Sequence, residues 1–229
     1  MRKFVIALGA VGALLTLGAT TGAQASVQAV KPQATPACGY NCFNLSNLTW
    51  GRHDIQSANA KNGVGSVGNK ISLARATDSS PNEDFTGGYV GSVAQLCSES
   101  ELSPYICNNY GPTSELEGNF PVYESDWSPY GNESGLCAGV ARPAAAGENV
   151  TLQDCGVSSA TFWVADLNHS HIGYTPFLNG ADTNFTHPLV LTVVQTKNGK
   201  LLRLERLNLL TGNYVANEQM WALDYGVEL

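Results

Sequence analysis

Leu136-Cys137-Ala138-Gly139-Val140, Val150-Thr151-Leu152-Gln153-Asp154-Cys155 and Thr161-Phe162-Trp163-Val164-Ala165-Asp166 follow one another in this chain. The same order returns in Val190-Leu191-Thr192-Val193, Leu202-Arg203-Leu204-Glu205-Arg206-Leu207 and Gln219-Met220-Trp221-Ala222-Leu223-Asp224. Each set is a short apolar run, an alternating strand and a Trp-centred strand. A unit repeated at this size predicts an array of similar units rather than one irregular sheet. Val150/Leu152 and Leu202/Leu204 alternate as half-buried strands do.

A weaker third copy lies upstream. Asn41-Cys42-Phe43-Asn44-Leu45 aligns with Leu136 to Val140, and Lys70 to Ala76 aligns with Asn149 to Cys155. Glu83-Asp84-Phe85 takes the place of Thr161-Phe162-Trp163, with Phe for Trp. Gly, Asn, Asp, Ser and Pro punctuate short apolar runs throughout, and no long run carries helical periodicity. The fold class expected is all-β, a sandwich or barrel. A segment of about 93–130 separates the first copy from the second.

The Val-x-Leu-x-x-Cys strand and the Gln219-Met220-Trp221 strand resemble the ricin-type β-trefoil repeat. Thr161-Phe162-Trp163 keeps the Trp of that signature and lacks the Gln; Glu83-Asp84-Phe85 keeps an aromatic. The resemblance covers about residues 41–229. It implies three pseudo-repeats around one core, with Ile71, Leu73, Phe85, Val150, Leu152, Trp163, Leu202, Leu204 and Trp221 inside it. It also implies carbohydrate binding through an Asp after the first strand of each copy, an aromatic platform near the second, and a nearby amide. Here Ala138, Gly139 and Val140 follow Cys137 without an Asp, and Gln153 stands where a ring would. In the third copy Thr192 and Val193 follow Leu191, and Glu205 replaces the platform. Asn44 and Arg75 take these places in the first copy. The usual sugar residues are therefore degenerate in all three.

Arg2 and Lys3, the apolar run Phe4 to Leu17, and Ala23-Gln24-Ala25 have the order of a cleavable signal peptide, so residues 1–25 are expected to be removed. A retained membrane anchor is the competing reading, disfavoured by the shortness of the run. Residues 26–37, with Pro32 and Pro36, read as a flexible arm ahead of a domain at 38–229. Loss of Arg2 and Lys3 moves the net charge from −7 to −9. An acidic exported chain lacks the basic patch that nucleic acid or an anionic membrane requires. The Ala/Gly-rich leader has a bacterial look. The Asn-x-Ser/Thr triplets at Asn44, Asn47, Asn132, Asn149, Asn168 and Asn184 then read as plain turn residues.

Six cysteines in an exported chain predict three disulfides. Proximity favours Cys38–Cys42, Cys97–Cys107 and Cys137–Cys155, the second closing the insertion into a local loop. A metal site is the alternative for these thiols, and no metal or other cofactor is expected. His169-Ser170-His171 beside Asp166, with His53 or His187 to join them, has the alternation of a metal pair; a solvated loop is the plainer reading. Gly63-Val64-Gly65-Ser66-Val67-Gly68 fits a dinucleotide string, but a loop precedes it and a strand follows, so these are turn glycines. Glu99, Glu101, Glu115, Glu117 and Glu124 are the carboxylates available to a glycosidase; in an acidic exported chain solvated surface is the plainer reading, and no hydrolase motif accompanies them.

The best surface for a ligand is Asp126-Trp127-Ser128-Pro129-Tyr130-Gly131-Asn132. Asp126, Trp127, Tyr130 and Asn132 would offer rings and hydrogen-bonding groups in a Pro/Gly turn. The competing reading has Trp127 covering the base of the insertion. The function expected is a secreted, non-enzymatic binding module for an extracellular glycan or protein surface. An inhibitor presenting the Cys97–Cys107 loop to a secreted enzyme is the alternative, and a hydrolase the third. Amino-terminal sequencing of the exported protein is expected to begin at Ser26; a retained Met1 overturns the leader reading.

Overall fold

The computed structural model describes residues 43–225, apart from 52, 59, 62, 76, 78, 79, 115, 142 and 184–186. The expected leader, the arm and the Cys38–Cys42 pair lie outside the described residues. Twelve strands run in three groups of four. The first unit holds β1 (Phe43–Asn47), β2 (His53–Ser57), β3 (Ile71–Arg75) and β4 (Phe85–Ser92). The second holds β5 (Pro121–Trp127), β6 (Leu136–Gly139), β7 (Thr151–Asp154) and β8 (Trp163–Ala165). The third holds β9 (Phe177–Asn179), β10 (Leu189–Thr196), β11 (Gly199–Arg206) and β12 (Trp221–Tyr225).

Pairing makes the threefold plan explicit. The last strand of each unit pairs antiparallel with the first of the next: β4 with β5, β8 with β9, and β12 back to β1. The middle strands form the hairpins β2–β3, β6–β7 and β10–β11. These hairpins also bond to one another in a ring. Ile71 N–H donates to Val150 O, Val150 N–H donates to Leu202 O, and Leu201 pairs with Ser72. Three cyclic junctions and three hairpins in a ring are the β-trefoil architecture, as the Gln-x-Trp resemblance implied.

The repeat alignment survives in the second and third units and in two of the three strands of the first. Its first element shifts. The described part of Asn41 to Leu45, from Phe43, lies in β1, which corresponds to β5 and β9; the counterpart of β6 and β10 is β2. Only Ile55 and Ser57 of β2 are buried, so the strand lacks the apolar run that marks its counterparts.

All nine residues assigned to the core are buried. Equivalent positions follow from the ladders. Ile55, Ala138 and Leu191 face Leu73, Leu152 and Leu204 across their hairpins. Trp163 Nε1–H donates to Ala138 O at 2.8 Å, and Trp221 Nε1–H donates to Leu191 O at 2.9 Å. Phe85, the first-unit counterpart, has no such donor. Across the junctions Trp221 faces Asn47, Trp163 faces Asn179, and Phe85 faces Trp127. Asn47 and Asn179 make matching clamps. Their Nδ2 groups donate to Glu218 O and Ala160 O, and their Oδ1 atoms accept from Thr49 N–H and Ala181 N–H. Asn47 is fully buried, so that Asn-x-Thr triplet is framework rather than surface.

The insertion between the first two units is a helix pair, α1 (Val93–Ser98) and α2 (Pro104–Tyr110), tied by Cys97–Cys107. Ser92 and Ser103 cap the two helices, accepting from Gln95 N–H and Ile106 N–H, and Pro104 opens α2, where its missing N–H costs nothing. The non-trefoil segment ends at Phe120, because Pro121–Trp127 is β5 itself. Val93, Leu96, Leu102, Tyr105, Ile106, Tyr110 and Phe120 form a second core against Val122, Phe162, Val164, Leu178 and Val190. The helices thus bury the outer faces of β5, β8, β9 and β10. Cys137–Cys155 closes the second-unit hairpin, as expected.

The second unit is under-filled at one point. Ser125 occupies the position of Leu45 and Phe177, and Ala138 that of Ile55 and Leu191. Both line an internal void of about 10 Å3, and the buried Ser125 hydroxyl has no hydrogen-bond partner. Ser125→Ala is expected to stabilise the fold by roughly 1 kcal/mol, because it removes an unpaired buried hydroxyl. A urea midpoint that falls instead would show that the hydroxyl is satisfied.

Candidate functional site

The structure corrects the reading of the 126–132 turn. Trp127 is 1% exposed and belongs to the main core. It ends β5 at the position of Asn47 and Asn179, so its ring points where theirs do, and it presents no platform to solvent. Gly65 makes room for it: a Cβ there would lie 2.4 Å from the Trp127 ring. The string Gly63 to Gly68 is accordingly a hairpin loop, with Gly63 and Gly68 at positive φ.

The rest of the turn is braced by carboxylates. Asp126 Oδ1 accepts from Ser134 N–H at 3.2 Å, and Asp84 Oδ2 accepts from Tyr130 N–H at 2.9 Å. Burial raises both carboxyls above their usual range, and these backbone donors oppose the rise. Tyr130 is 58% exposed and Asn132 is exposed, its amide donating to Tyr130 O at 3.3 Å. The four residues therefore split, Trp127 and Asp126 serving the framework and Tyr130 and Asn132 facing solvent.

Other sequence candidates also resolve. Glu124 accepts from Gly156 N–H and from the Thr161 hydroxyl, which ties β5 to the 156–161 connection. It lies beside Cys137 and Cys155, whose sulfurs are joined to each other and offer no thiolate to a metal. Glu99 and Glu101 sit on the exposed tip between α1 and α2. Beyond that tip Leu102, Tyr105 and Ile106 are buried, so one side of the Cys97–Cys107 loop is core material while its 98–101 tip faces solvent. His169 Nδ1 hydrogen-bonds Asp166 Oδ2 at 2.7 Å, whereas His171 meets the Tyr214 ring edge to face.

A groove of about 670 Å3 opens where the third unit meets the first. Trp50, Gln195, Glu205, Arg206, Asn208 and Glu218 line it, with Thr192 and Gln219 among the buried residues beneath. Gln219 explains its motif physically. Its amide donates to Thr192 Oγ1 and Arg206 O, and its Oε1 accepts from Asn208 N–H. All its polar capacity goes into stitching the β10–β11 hairpin to the closing strand, which leaves ligand contact to its neighbours. Glu205, Arg206 and Glu218 make no ion pair among the described residues.

Trp50 comes from the β1–β2 connection and was not singled out in the sequence. It is half-buried, and Lys200 Nζ stands 4.3 Å from its ring centroid. Lys200 also donates to His53 Nε2 at 3.0 Å, which leaves His53 Nδ1–H to donate to Trp50 O at 2.7 Å. The tryptophan is thus held by a cation, an imidazole and the core.

No family model and no curated protein matches the sequence. Solved structures do. The chain is similar to a designed threefold-symmetric protein, ThreeFoil, at 16% identity and a TM-score of 0.52, over 82% of this chain and 99% of that one. It is similar to a mosquitocidal holotoxin at 12% identity and a TM-score of 0.50, over 80% of this chain and 17% of the toxin. A third, the BEL β-trefoil, aligns at 12% identity and a TM-score of 0.43, over 80% of this chain and 91% of that one. The chain spans almost all of the threefold design and about a sixth of the toxin. The likeness defines the class: this protein is a β-trefoil, carrying the Gln-x-Trp arrangement in its third unit.

Trp127→Ala is expected to cost about 3–5 kcal/mol of stability, as a large buried ring does when truncated. Chemical denaturation measures it; a variant as stable as the parent would return Trp127 to the surface.

Proposed function

We propose that this chain is an exported, non-enzymatic carbohydrate-binding module that takes its sugar in the groove between its third and first units. The observation that carries the reading is Trp50, a pre-braced ring on the wall of a groove whose other residues are a carboxamide set and unpaired charges. An apolar sugar face stacks on a ring, and amides, carboxylates and a guanidinium fix hydroxyls by direction. The groove coincides with the third-copy position where the ricin-type resemblance puts its sugar. The ring reaches it from the neighbouring unit instead of from β11, where Glu205 stands. Export is supported by the leader pattern and by two disulfides among the described residues.

The inhibitor alternative would have to dock the short exposed tip at 98–101, because Leu102, Ser103, Tyr105 and Ile106 of the same loop are buried. A hydrolase reading has one observation of its own: Glu205 and Glu218 line the same groove.

Purified residues 26–229 on a broad glycan array are expected to bind neutral glycans. Trp50→Ala should lower the signal at least about tenfold, the loss of one stacking ring, while Tyr130→Ala leaves it unchanged. Retained binding in Trp50→Ala excludes this groove. Sugar release by the parent, abolished in Glu218→Gln, would make the groove catalytic.

A further inference from the structure

The connections β8–β9 and β11–β12 enclose a second groove of about 390 Å3, which shares no lining residue with the first. His169, His171, Tyr214, Asn168, Asn213 and Asn217 line it, and no Asp, Glu, Lys or Arg does. In a chain of net charge −7 such a stretch of surface has a different electrostatic character. Tyr214 is 56% exposed and Ile172 81%; Leu167, Leu209 and Leu210 are exposed on the same two connections. Ile172 and Asn213 hold left-handed backbone, at φ 49° and 62°. For a β-branched residue this is costly, and such strain concentrates where a loop is shaped for contact.

His169 is fixed from behind. Its partner Asp166 is fully buried, and also accepts from Asn168 N–H at 3.1 Å and from the Tyr110 hydroxyl of α2. With Nδ1 engaged, Nε2 is left for a ligand, and it has no partner among the described residues. The titratable groups around it are Asp166 on its own turn, Tyr105 and Tyr110 from α2, His171 and Tyr174 from the following turn, and Tyr214 from the β11–β12 connection. Asp182 acts on the two α2 tyrosines. Burial pushes the Tyr110 hydroxyl far above its usual range, so it stays a neutral donor to Asp166.

We propose that this groove binds a carboxylate-bearing sugar, its carboxylate on His169 Nε2–H and its apolar face on Tyr214. An imidazolium–carboxylate hydrogen bond is the charge-assisted kind. Three Asn amides supply uncharged partners for hydroxyls. The hydrogen bond to Asp166 raises the His169 pKa above 6.5, against a smaller opposing effect of burial. The Nε2 proton is therefore present below that raised value and lost as pH climbs through it. Binding follows the same sign, strong in mild acid and weak in alkali.

The test is calorimetric titration of the mature chain with sialyllactose, a glucuronic acid disaccharide and neutral lactose, at about pH 5.5 and about pH 8. An acidic sugar is expected to bind at least about tenfold tighter at the lower pH, and lactose to show no such dependence. His169→Gln should abolish the pH dependence. Tyr214→Ala, a change at an exposed side chain, should weaken the acidic sugar at both pH values. Trp50→Ala should leave it unaffected, which separates this site from the first groove. Equal affinity at both pH values overturns the proposal, as does no binding of either acidic sugar. Binding only of an acidic peptide such as Leu-Asp, lost in His169→Gln, would replace the sugar by a protein partner.

Discussion

The junctions between units are the constraint on which the structure depends. At each one an aromatic residue on a closing strand faces a fixed partner across the ladder: Trp221 and Asn47, Trp163 and Asn179, Phe85 and Trp127. Where the pair is Trp and Asn, both residues spend their polar atoms on backbone. The indole reaches the hairpin carbonyl, and the amide clasps the chain just ahead of the Trp. The Phe85/Trp127 junction reverses the order of sizes. A smaller ring stands on the closing strand and the indole moves to the opening strand, so aromatic volume is kept while two hydrogen-bonding roles are lost. The unpaired Trp127 Nε1 is what that exchange leaves behind.

Repetition by threes makes each core position a shared one, and the second unit departs furthest from its sisters. Ser125 and Ala138 are small where the others are large, and Trp127 is large where the others are Asn. The inserted helices attach beside this same unit. By covering Val122, Val164, Leu178 and Val190 they make strands of the β8–β9–β10 region buried on both faces. That is why Trp163-Val164-Ala165 and Leu189-Val190-Leu191 read as continuous apolar runs, while β2 and β3 alternate. Through Tyr110 the insertion also sets Asp166, and through Asp166 it sets His169. A segment outside the repeat pattern thereby reaches a surface within it.

The fold was legible because an alternating strand followed by a Trp-centred strand recurs in the second and third units, and the third carries Gln-x-Trp in full. Gln219, Leu202, Leu204 and Trp221 each have a packing role that needs that residue type. The first unit was harder to read. His53 to Ser57 is a hairpin strand with one deeply buried aliphatic, and Asn41 to Leu45 imitated the missing apolar run. Trp127 was misread because Ser128, Pro129 and Gly131 announce a turn, yet the strand continues through residue 127 before the turn begins. Its equivalence to Asn47 and Asn179 appears only when the ladders are known. Trp50 is a different case. It joins Glu205 and Glu218 because β12 returns to β1, a closure across about 170 residues that no local pattern records.

Gln219 separates framework from function in this protein. Its amide is exhausted inside the fold, and the residues just before it diverge: Glu218 lines the groove with Trp50, and Asn217 lines the groove with His169. One strand entry thus walls two grooves of opposite character. The first carries two carboxylates and a guanidinium. The second carries imidazoles and amides and no carboxylate, lysine or arginine. The carboxylate behind His169 is buried and hydrogen-bonded by the imidazole it orients, so it presents no charge of its own to the groove lining. Both grooves thus draw their walls largely from connections between strands, which lie outside the three junctions that hold the fold.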